Sequence, residues 1–195
     1  IQPLATAVCA NLQPPVETEL MKIIAFAASS SRTSINKQLA TYAARLVVGA
    51  DVEVLDLNNY ELPLFSIDKE QQLGQPQLAK DFLAKIASAD GLIISFAEHN
   101  STYSAAYKNL FDWCSRIEKK VFCNKPAVFL ATSPGGRGGA TVLAEALASA
   151  ERFGAQVLAN LSVPNFAANF DIENGVLKNA ELNSQLVSAV GLLKQ

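Results

Sequence analysis

The chain has 195 residues, half of them hydrophobic, and its 16 basic and 18 acidic side chains leave a net charge of −2. This length is enough for one domain with a sizeable core. A charge so close to zero provides no basic surface for nucleic acid or an anionic membrane, and the apolar runs are too short to cross a bilayer, so we predict neither kind of partner.

The first 20 residues precede the part of the chain that shows a regular pattern. They contain three prolines and no helix or strand period, and they are followed by Met21, the single methionine. We predict that residues 1–20 are a non-native or disordered N-terminal extension and that the folded domain spans residues 21–195. A signal peptide is the alternative, because LATAVCA ends in a small-x-small pattern, but no basic segment precedes it.

From Met21 onward, short apolar runs alternate with stretches whose apolar residues recur at helical spacing. The runs predict strands and the stretches predict helices. In chain order we predict strand 22–28, helix 36–48, strand 52–57, irregular loop 58–75, helix 77–88, strand 91–97, helix 104–119, strand 127–132, helix 140–153, strand 156–162 and helix 180–193.

The alternation of five strands with helices predicts a parallel sheet that is covered on both faces. Right-handed crossovers allow two arrangements, the flavodoxin-like strand order 2-1-3-4-5 or a truncated dinucleotide-binding fold. In both arrangements ligands bind beyond the carboxyl ends of the strands. The loops after the first, third and fourth strands are therefore the candidate binding loops.

The loop after the first strand is rich in hydrogen-bond donors. Residues 28–36 read ASSSRTSIN, with five hydroxyls, one guanidinium and one amide before a helix, and without G-x-G-x-x-G or G-K-[ST]. A helix N-terminus has unpaired N–H groups and the positive end of a dipole, so we predict a phosphate site. The alternative is that Ser34 or Asn36 only caps the helix. The predicted phosphate-binding residues are Ser29, Ser31, Arg32, Ser34, Ile35 and Asn36.

Three loop sequences resemble those of one family. Residues 97–113, AEHNSTYSAAYKNLFDW, are similar to the P-E-Y-N-G-S-x-P-G-x-L-K-N-x-x-D-W segment of the NADPH-dependent FMN reductase family. The first loop resembles that family's G-S-x-x-x-x-S-x-N phosphate loop, and residues 132–139, TSPGGRGG, resemble its glycine-rich loop after the fourth strand. The matching positions in the first two loops are Ser29, Ser34, Asn36, Glu98, Asn100, Tyr103, Lys108, Asn109, Asp112 and Trp113.

The resemblance implies a flavodoxin-like fold, a bound FMN and NAD(P)H as co-substrate. It also implies hydride transfer through the flavin to a quinone, free flavin, azo or metal-oxyanion acceptor, with the chemistry at flavin N5 and no catalytic side chain. Backbone N–H groups of residues 98–101 would bond the flavin edge, and glycines after the fourth strand would leave room for the ring. The flavin-contacting residues implied are Ala97, Glu98, His99, Asn100, Ser101, Ser133, Gly135, Gly136 and Gly138.

The choice of FMN over FAD follows from the presence of one phosphate loop without a second nucleotide-binding fingerprint. The sequence departs from the family pattern at Ala28, Ala97, His99, Ser101 and Ser104, which leaves the electron acceptor open. Two alternatives to an enzyme remain. One is a flavodoxin-type electron carrier, which usually has an acidic surface and a [ST]-x-T-G-x-T loop; the other is a flavin-binding regulatory protein without useful turnover.

Cysteine usage and the third predicted helix bear on location and assembly. Cys9, Cys114 and Cys123 form no C-x-x-C pair and His99 is the single histidine, so we predict no disulfide framework, no zinc site and a cytoplasmic location. The helix at 104–119 is rich in aromatic residues, which favours a homodimer or homotetramer. The family resemblance implies that this helix helps to pair subunits.

Overall fold

A computed structural model describes residues 20–195 of the chain. The predicted extension, apart from Leu20, lies outside the described residues, as does Cys9. Short 3₁₀ helices occupy Leu57–Tyr60, Glu151–Phe153 and Leu192–Lys194. In chain order, the helices and strands are β1 (Lys22–Ala28), α1 (Ile35–Arg45), β2 (Asp51–Leu55), α2 (Ile67–Leu73), α3 (Gln77–Ser88), β3 (Gly91–Phe96), β4 (Glu98–His99), β5 (Thr102–Tyr103), α4 (Ala105–Ile117), β6 (Lys125–Thr132), α5 (Ala140–Ala150), β7 (Ala155–Val163), α6 (Phe166–Asn169), β8 (Phe170–Asp171), β9 (Val176–Leu177) and α7 (Ala180–Gly191).

Five parallel strands form one sheet in the order β2-β1-β3-β6-β7, which confirms the predicted flavodoxin-like order. Successive side chains of a strand point to opposite faces of the sheet. In β1, Ile24 and Phe26 pack in the core formed with α3, α4 and α5, whereas Ile23 and Ala25 pack in the core formed with α1 and α7. Helices cover both faces, which is why β1 reads as a continuous apolar run.

The three central strands end at the same level. Ala28 of β1 pairs with Phe96 of β3, and Phe96 pairs with Ala131 of β6. Because these strands are parallel, the loops that leave their carboxyl ends start side by side. The three predicted binding loops therefore share one edge of the sheet.

The segment 58–75 is not the irregular loop that the sequence predicts. It contains α2, whose N-cap Ser66 accepts a hydrogen bond from Lys69 N at 3.1 Å. Arg116 of α4 forms an ion pair with Glu70 of α2, with Arg116 Nε 3.0 Å from Glu70 Oε1. No residue of α2 is buried, so the sequence lacks the apolar stripe on which a helix prediction depends.

Candidate functional site

The N-terminus of α1 presents unpaired backbone donors. Its N-cap is Ser34, whose hydroxyl accepts a hydrogen bond from Lys37 N at 3.2 Å, so the capping role that the sequence left open is present. Within residues 20–195, no group accepts a hydrogen bond from the N–H of Ile35 or Asn36, as expected where a first helical turn has no intrahelical acceptor. The first turn contains no acidic residue. This helix end is therefore open to an anion.

The loop that precedes α1 adds side-chain donors. Ser30, Ser31, Arg32 and Thr33 are exposed, whereas Ser29 is buried and its hydroxyl accepts a hydrogen bond from Ser31 N at 3.2 Å. In the part of the chain that the structure describes, Arg32 forms no ion pair. The loop thus offers one guanidinium and three exposed hydroxyls to a phosphate.

The buried side chain of Asn36 joins α1 to the ends of two strands. Its Oδ1 accepts hydrogen bonds from Ser95 Oγ at 2.7 Å and Thr132 N at 3.0 Å, and its Nδ2 donates to the Thr132 carbonyl at 3.1 Å. Ser95 lies on β3 and Thr132 ends β6, so this 3% exposed side chain fixes α1 against both neighbouring loops. The backbone N–H of Asn36 has no acceptor within residues 20–195 and is available for the predicted contact with a phosphate.

A second buried joint links the end of β1 to α4. Ser104 Oγ donates to the Ala28 carbonyl at 2.8 Å and accepts from Tyr107 N at 3.3 Å. Sequence reasoning missed Ser104 as well as Ser95 and Thr132. For Ser95 and Thr132 a signal was present, because a polar side chain within or at the end of a buried apolar run needs a hydrogen-bond partner.

After β3 the chain forms a tight hairpin. Residues 98–99 pair with residues 102–103, and the turn residues Asn100 and Ser101 have positive φ angles of 51° and 66°, as in a type I′ turn. Among residues 20–195, the N–H groups of these two turn residues donate to no other group. His99 is exposed beside the turn. The hairpin therefore offers backbone donors at the edge where the first loop lies.

The glycine-rich loop after β6 has an open part and a packed part. Gly135 and Gly136 are exposed, and a Cβ on either would meet no atom closer than 3.9 Å. Gly138 and Gly139 have φ angles of 60° and 77°, and a Cβ on Gly138 would lie 2.8 Å from Pro164 N. Packing alone therefore requires glycine at position 138, and the surface free of side chains lies at positions 135 and 136.

Two predicted flavin contacts make hydrogen bonds within the protein. Glu98 Oε2 accepts hydrogen bonds from Thr141 N at 3.1 Å and Val142 N at 3.0 Å, at the start of α5. Ser133 Oγ donates to the Gly135 carbonyl at 3.2 Å. Both side chains thus form hydrogen bonds that stabilise the loops to which they belong.

One ion pair lies beside the loop that precedes α1. Lys37 Nζ lies 2.6 Å from Asp56 Oδ2. The hydrogen bond from Lys37 and that from Asn58 N hold the pKa of the Asp56 carboxyl at about 2, below its ordinary 3.8. Because Lys37 has this partner, Arg32 is the cation at the N-terminal end of α1 that forms no ion pair within residues 20–195.

The residues of α4 that match the family pattern hold a neighbouring loop. Asn109 Nδ2 donates to the Leu62 carbonyl at 3.0 Å, and Trp113 Nε1 donates to the Pro63 carbonyl at 2.8 Å. Asn109 Oδ1 accepts from Phe65 N at 2.8 Å. Trp113 is 1% exposed, so these side chains position the loop after β2 and offer no ring to a ligand.

Other kinds of site find little support in residues 20–195. In this range no group of three or more His, Cys, Asp and Glu residues could hold a metal ion, and no helix has both the length and the apolar character needed to span a membrane. Burial raises the pKa of the Cys114 thiol to about 12, so this cysteine does not provide a thiolate at neutral pH.

The shared edge of the sheet fits flavin mononucleotide. A phosphate monoester matches the free N–H groups of Ile35 and Asn36 together with Arg32. The polar rim of a flavin ring matches the free donors of the Asn100–Ser101 turn, and its flat face matches the glycine surface at 135–136. The donor set and the open space therefore agree with such a ligand.

Comparison with known proteins decides the family. The model of the family described as NADPH-dependent FMN reductase matches residues 21–168. The chain belongs to the NADPH-dependent FMN reductase family. The match covers all three loops at the sheet edge, which confirms the resemblance predicted from their sequences.

Two individual relatives match this chain with no more than 36% identity over about 60% of its length. An NADPH:quinone oxidoreductase of Arabidopsis thaliana is 33% identical over 124 residues, 62% of this chain and 62% of that protein. A 2-hydroxy-1,4-benzoquinone reductase of a Burkholderia species is 36% identical over 120 residues, 60% of this chain and 63% of that protein. The chain thus matches less than two thirds of the length of these relatives.

Solved structures support the fold. The flavoenzyme NAD(P)H:(acceptor) oxidoreductase of Paracoccus denitrificans superposes with a TM-score of 0.71 and 20% identity, covering 89% of this chain and 95% of that one. At this level of identity the similarity establishes the flavodoxin-like fold and not the substrate.

Proposed function

We propose that the protein is an FMN-dependent NAD(P)H oxidoreductase, which passes hydride from a nicotinamide cofactor through bound FMN to a small acceptor. The observation that carries this proposal is the open N-terminus of α1, where Ile35, Asn36 and Arg32 leave donors unpaired within residues 20–195. It lies at the same edge of the sheet as the free donors of the Asn100–Ser101 turn. A phosphate and a ring joined in one molecule would use both.

In this proposal the protein binds and orients the cofactor. Ser31, Arg32 and the N–H groups of Ile35 and Asn36 hold the phosphate, while the turn at 100–101 and the glycines at 135–136 border the ring. Bound FMN supplies hydride transfer between the nicotinamide and the acceptor. The buried side chain of Asn36 keeps the loops at fixed spacing by bonding Ser95 and Thr132.

A quinone is the acceptor that we favour, since the names of the Arabidopsis and Burkholderia relatives specify quinone reduction. Free flavin, azo compounds and metal oxyanions are the further acceptor classes. The acceptor would be a small molecule, because the space above Gly135 and Gly136 is open to solvent.

Turnover tests the proposal and separates it from an electron carrier or a regulatory flavoprotein. Protein reconstituted with FMN is mixed with NADH or NADPH and a benzoquinone, and nicotinamide oxidation is followed by absorbance. We expect steady turnover that requires FMN-loaded protein and exceeds that of free FMN at equal concentration. Flavin binding with oxidation no faster than free FMN would favour a carrier or regulator and contradict the enzyme.

We further propose a homodimer, or a homotetramer built from it, located in the cytoplasm. The expected exposed aromatic face of α4 is largely internal, because Tyr107 and Trp113 are buried. The support is instead a cavity of about 270 Å³ between α4 and α5, whose lining includes Tyr103, Phe111 and Phe153. Apolar surface of this kind is frequently covered by a partner. Light scattering that gives a single-chain mass at micromolar concentration would contradict the dimer.

A further inference from the structure

Helix α5 cannot provide its own side-chain cap. Its N-cap is Gly139, which has a φ of 77°, and a Cβ there would lie 3.0 Å from Ala131 Cβ. A serine, threonine or aspartate, the usual capping residues, would be strained in this backbone conformation and crowded by Ala131. The N–H groups of the first turn therefore need an acceptor from another segment.

Glu98 supplies that acceptor from the loop after β3. Its Oε2 accepts from both Thr141 N and Val142 N, at 3.1 and 3.0 Å. Its Oε1 lies 3.8 Å from an Arg137 nitrogen, and the Glu98 side chain is 12% exposed. A carboxylate at a helix N-terminus gains from charge-assisted hydrogen bonds and from the helix dipole. The bond pattern thus makes Glu98 the cap of α5.

The neighbours of this cap are the two walls that would border the ring. Glu98 begins the hairpin whose turn is Asn100–Ser101, and α5 directly follows the loop that contains Gly135 and Gly136. A second tie between the walls, from Thr102 Oγ1 to Glu145 Oε2 at 2.9 Å, lies exposed at the surface.

We propose that Glu98 is a positioning residue of the flavin site, whose carboxylate fixes the hairpin turn against the loop between β6 and α5. This inference rests on the proposed function, since it concerns the same FMN site. The Glu98 carboxylate occupies the N-terminus of α5, where an anion could otherwise bind, and the two segments that it joins are those that would border the ring. It therefore acts on the ring end of the ligand and not on its phosphate. Loss of Glu98 therefore weakens FMN and riboflavin equally.

Flavin titration of the full chain tests this inference. We expect Glu98→Ala to weaken FMN and riboflavin binding by the same factor, about tenfold, as is typical of coupling between contacting elements. The Glu98→Gln variant keeps an oxygen that can accept both hydrogen bonds, so its affinities should stay within about threefold of the wild type. The visible circular dichroism of bound FMN should change in Glu98→Ala and return towards the wild-type spectrum in Glu98→Gln.

The matched control is Glu181→Ala, which removes a carboxylate from the first turn of α7, where it accepts a hydrogen bond from Gln185 of the same helix at 3.4 Å. It should change neither the affinities nor the spectrum. If Glu98→Ala lowers only thermal stability, with both affinities and the flavin spectrum unchanged below the unfolding range, Glu98 is merely structural and the inference is wrong. A loss confined to FMN would also overturn it.

Amide hydrogen exchange separates this inference from the proposed function. In the apoprotein, Glu98→Ala should accelerate exchange at Thr141 and Val142, because their acceptor is gone. Wild-type protein that binds neither flavin would contradict the proposed function and, with it, any role of Glu98 in flavin binding. This holds even if faster exchange at Thr141 and Val142 in Glu98→Ala shows that Glu98 caps α5. Flavin binding by the wild type together with unchanged exchange and affinities in Glu98→Ala would contradict this inference alone.

Discussion

Helices α1 and α5 begin at the same edge of the sheet, and their N-termini are satisfied in opposite ways. The first turn of α5 is closed, since Glu98 accepts from Thr141 and Val142. The first turn of α1 leaves the N–H groups of Ile35 and Asn36 without an acceptor among residues 20–195. A helix N-terminus can serve a ligand anion only where the protein does not place its own carboxylate there.

The largest expected effect comes from removing the side chain that anchors α1. Asn36→Ala leaves the Ser95 hydroxyl and both Thr132 backbone groups without their partner in a buried region. We expect a loss of about 3 kcal/mol in the free energy of unfolding, measured by urea denaturation. The control, Asn183→Ala, removes one partly buried bond from the Tyr42 hydroxyl and should cost about 1 kcal/mol. Equal losses in the two variants would refute the anchoring role.

A carboxylate beside α1 should make it resemble α5. Ser31 is exposed in the loop before the helix, so Ser31→Asp places negative charge where the phosphate is proposed to bind. Repulsion between like charges should weaken FMN by about 2 kcal/mol, or roughly thirtyfold, while riboflavin is little affected. Isothermal titration of both flavins measures this, with Ser184→Asp on α7 as the charge-matched control. Unchanged FMN affinity would place the phosphate elsewhere.

The ion pair beside α1 should affect stability and not phosphate selectivity. Asp56 has a pKa of about 2 in the folded protein and an ordinary value of 3.8. Its contribution is therefore fully present above about pH 4 and is lost as the pH falls through 2. After discounting for solvent screening, Asp56→Asn should cost about 1 kcal/mol at pH 7.

The same pair gives a pH-dependent check. Urea unfolding of the wild type and Asp56→Asn at pH 7, 4 and 2.5 should show the difference in stability shrinking at the lowest pH. The ratio of FMN to riboflavin affinity should not fall in the variant, since Lys37 keeps its charge. A difference in stability that is the same at all three pH values would argue against the depressed pKa.

The smallest effect concerns the hairpin that Glu98 joins to α5. Ser101 has a φ of 66°, which costs a residue with a Cβ about 1–2 kcal/mol, while glycine loses about 0.5–1 kcal/mol more backbone entropy on folding. Ser101→Gly should therefore raise the free energy of unfolding by about 0.5 kcal/mol. Ser184→Gly, inside α7, should lower it by a similar amount. Destabilisation by both would show that the turn prefers serine.

Much of the fold could be predicted because it depends on local pattern. The run of apolar residues at 22–28 is β1 itself, and the apolar stripe at 77–88 is α3 itself. The alternation of elements left two arrangements open, the family resemblance implied the flavodoxin-like strand order, and the structure confirmed that order. Helix α2 was missed because no residue of it is buried, and two-residue strands such as β4 are too short to show a period.

The division of labour within the loops could not be predicted, because it depends on distant partners. The sequence predicted Asn36 as a phosphate ligand or a helix cap, and it could not show that the Asn36 side chain bonds Ser95 and Thr132, 59 and 96 positions away. Glu98 was predicted as a flavin contact, and the two N–H groups that donate to its carboxylate, those of Thr141 and Val142, lie 43 and 44 positions further on. Sequence reasoning found the loops and their donors, and only the folded structure distinguishes a free N–H from a satisfied one.

The ratio of FMN to riboflavin affinity tests most directly whether α1 is the open helix end. We expect the wild type to bind FMN about a hundredfold more tightly than riboflavin, and Arg32→Gln to reduce that ratio about tenfold by losing a charge-assisted bond. Arg45→Gln removes the same charge from the last turn of α1 and should leave the ratio unchanged. Equal affinity of the wild-type protein for the two flavins would contradict the account.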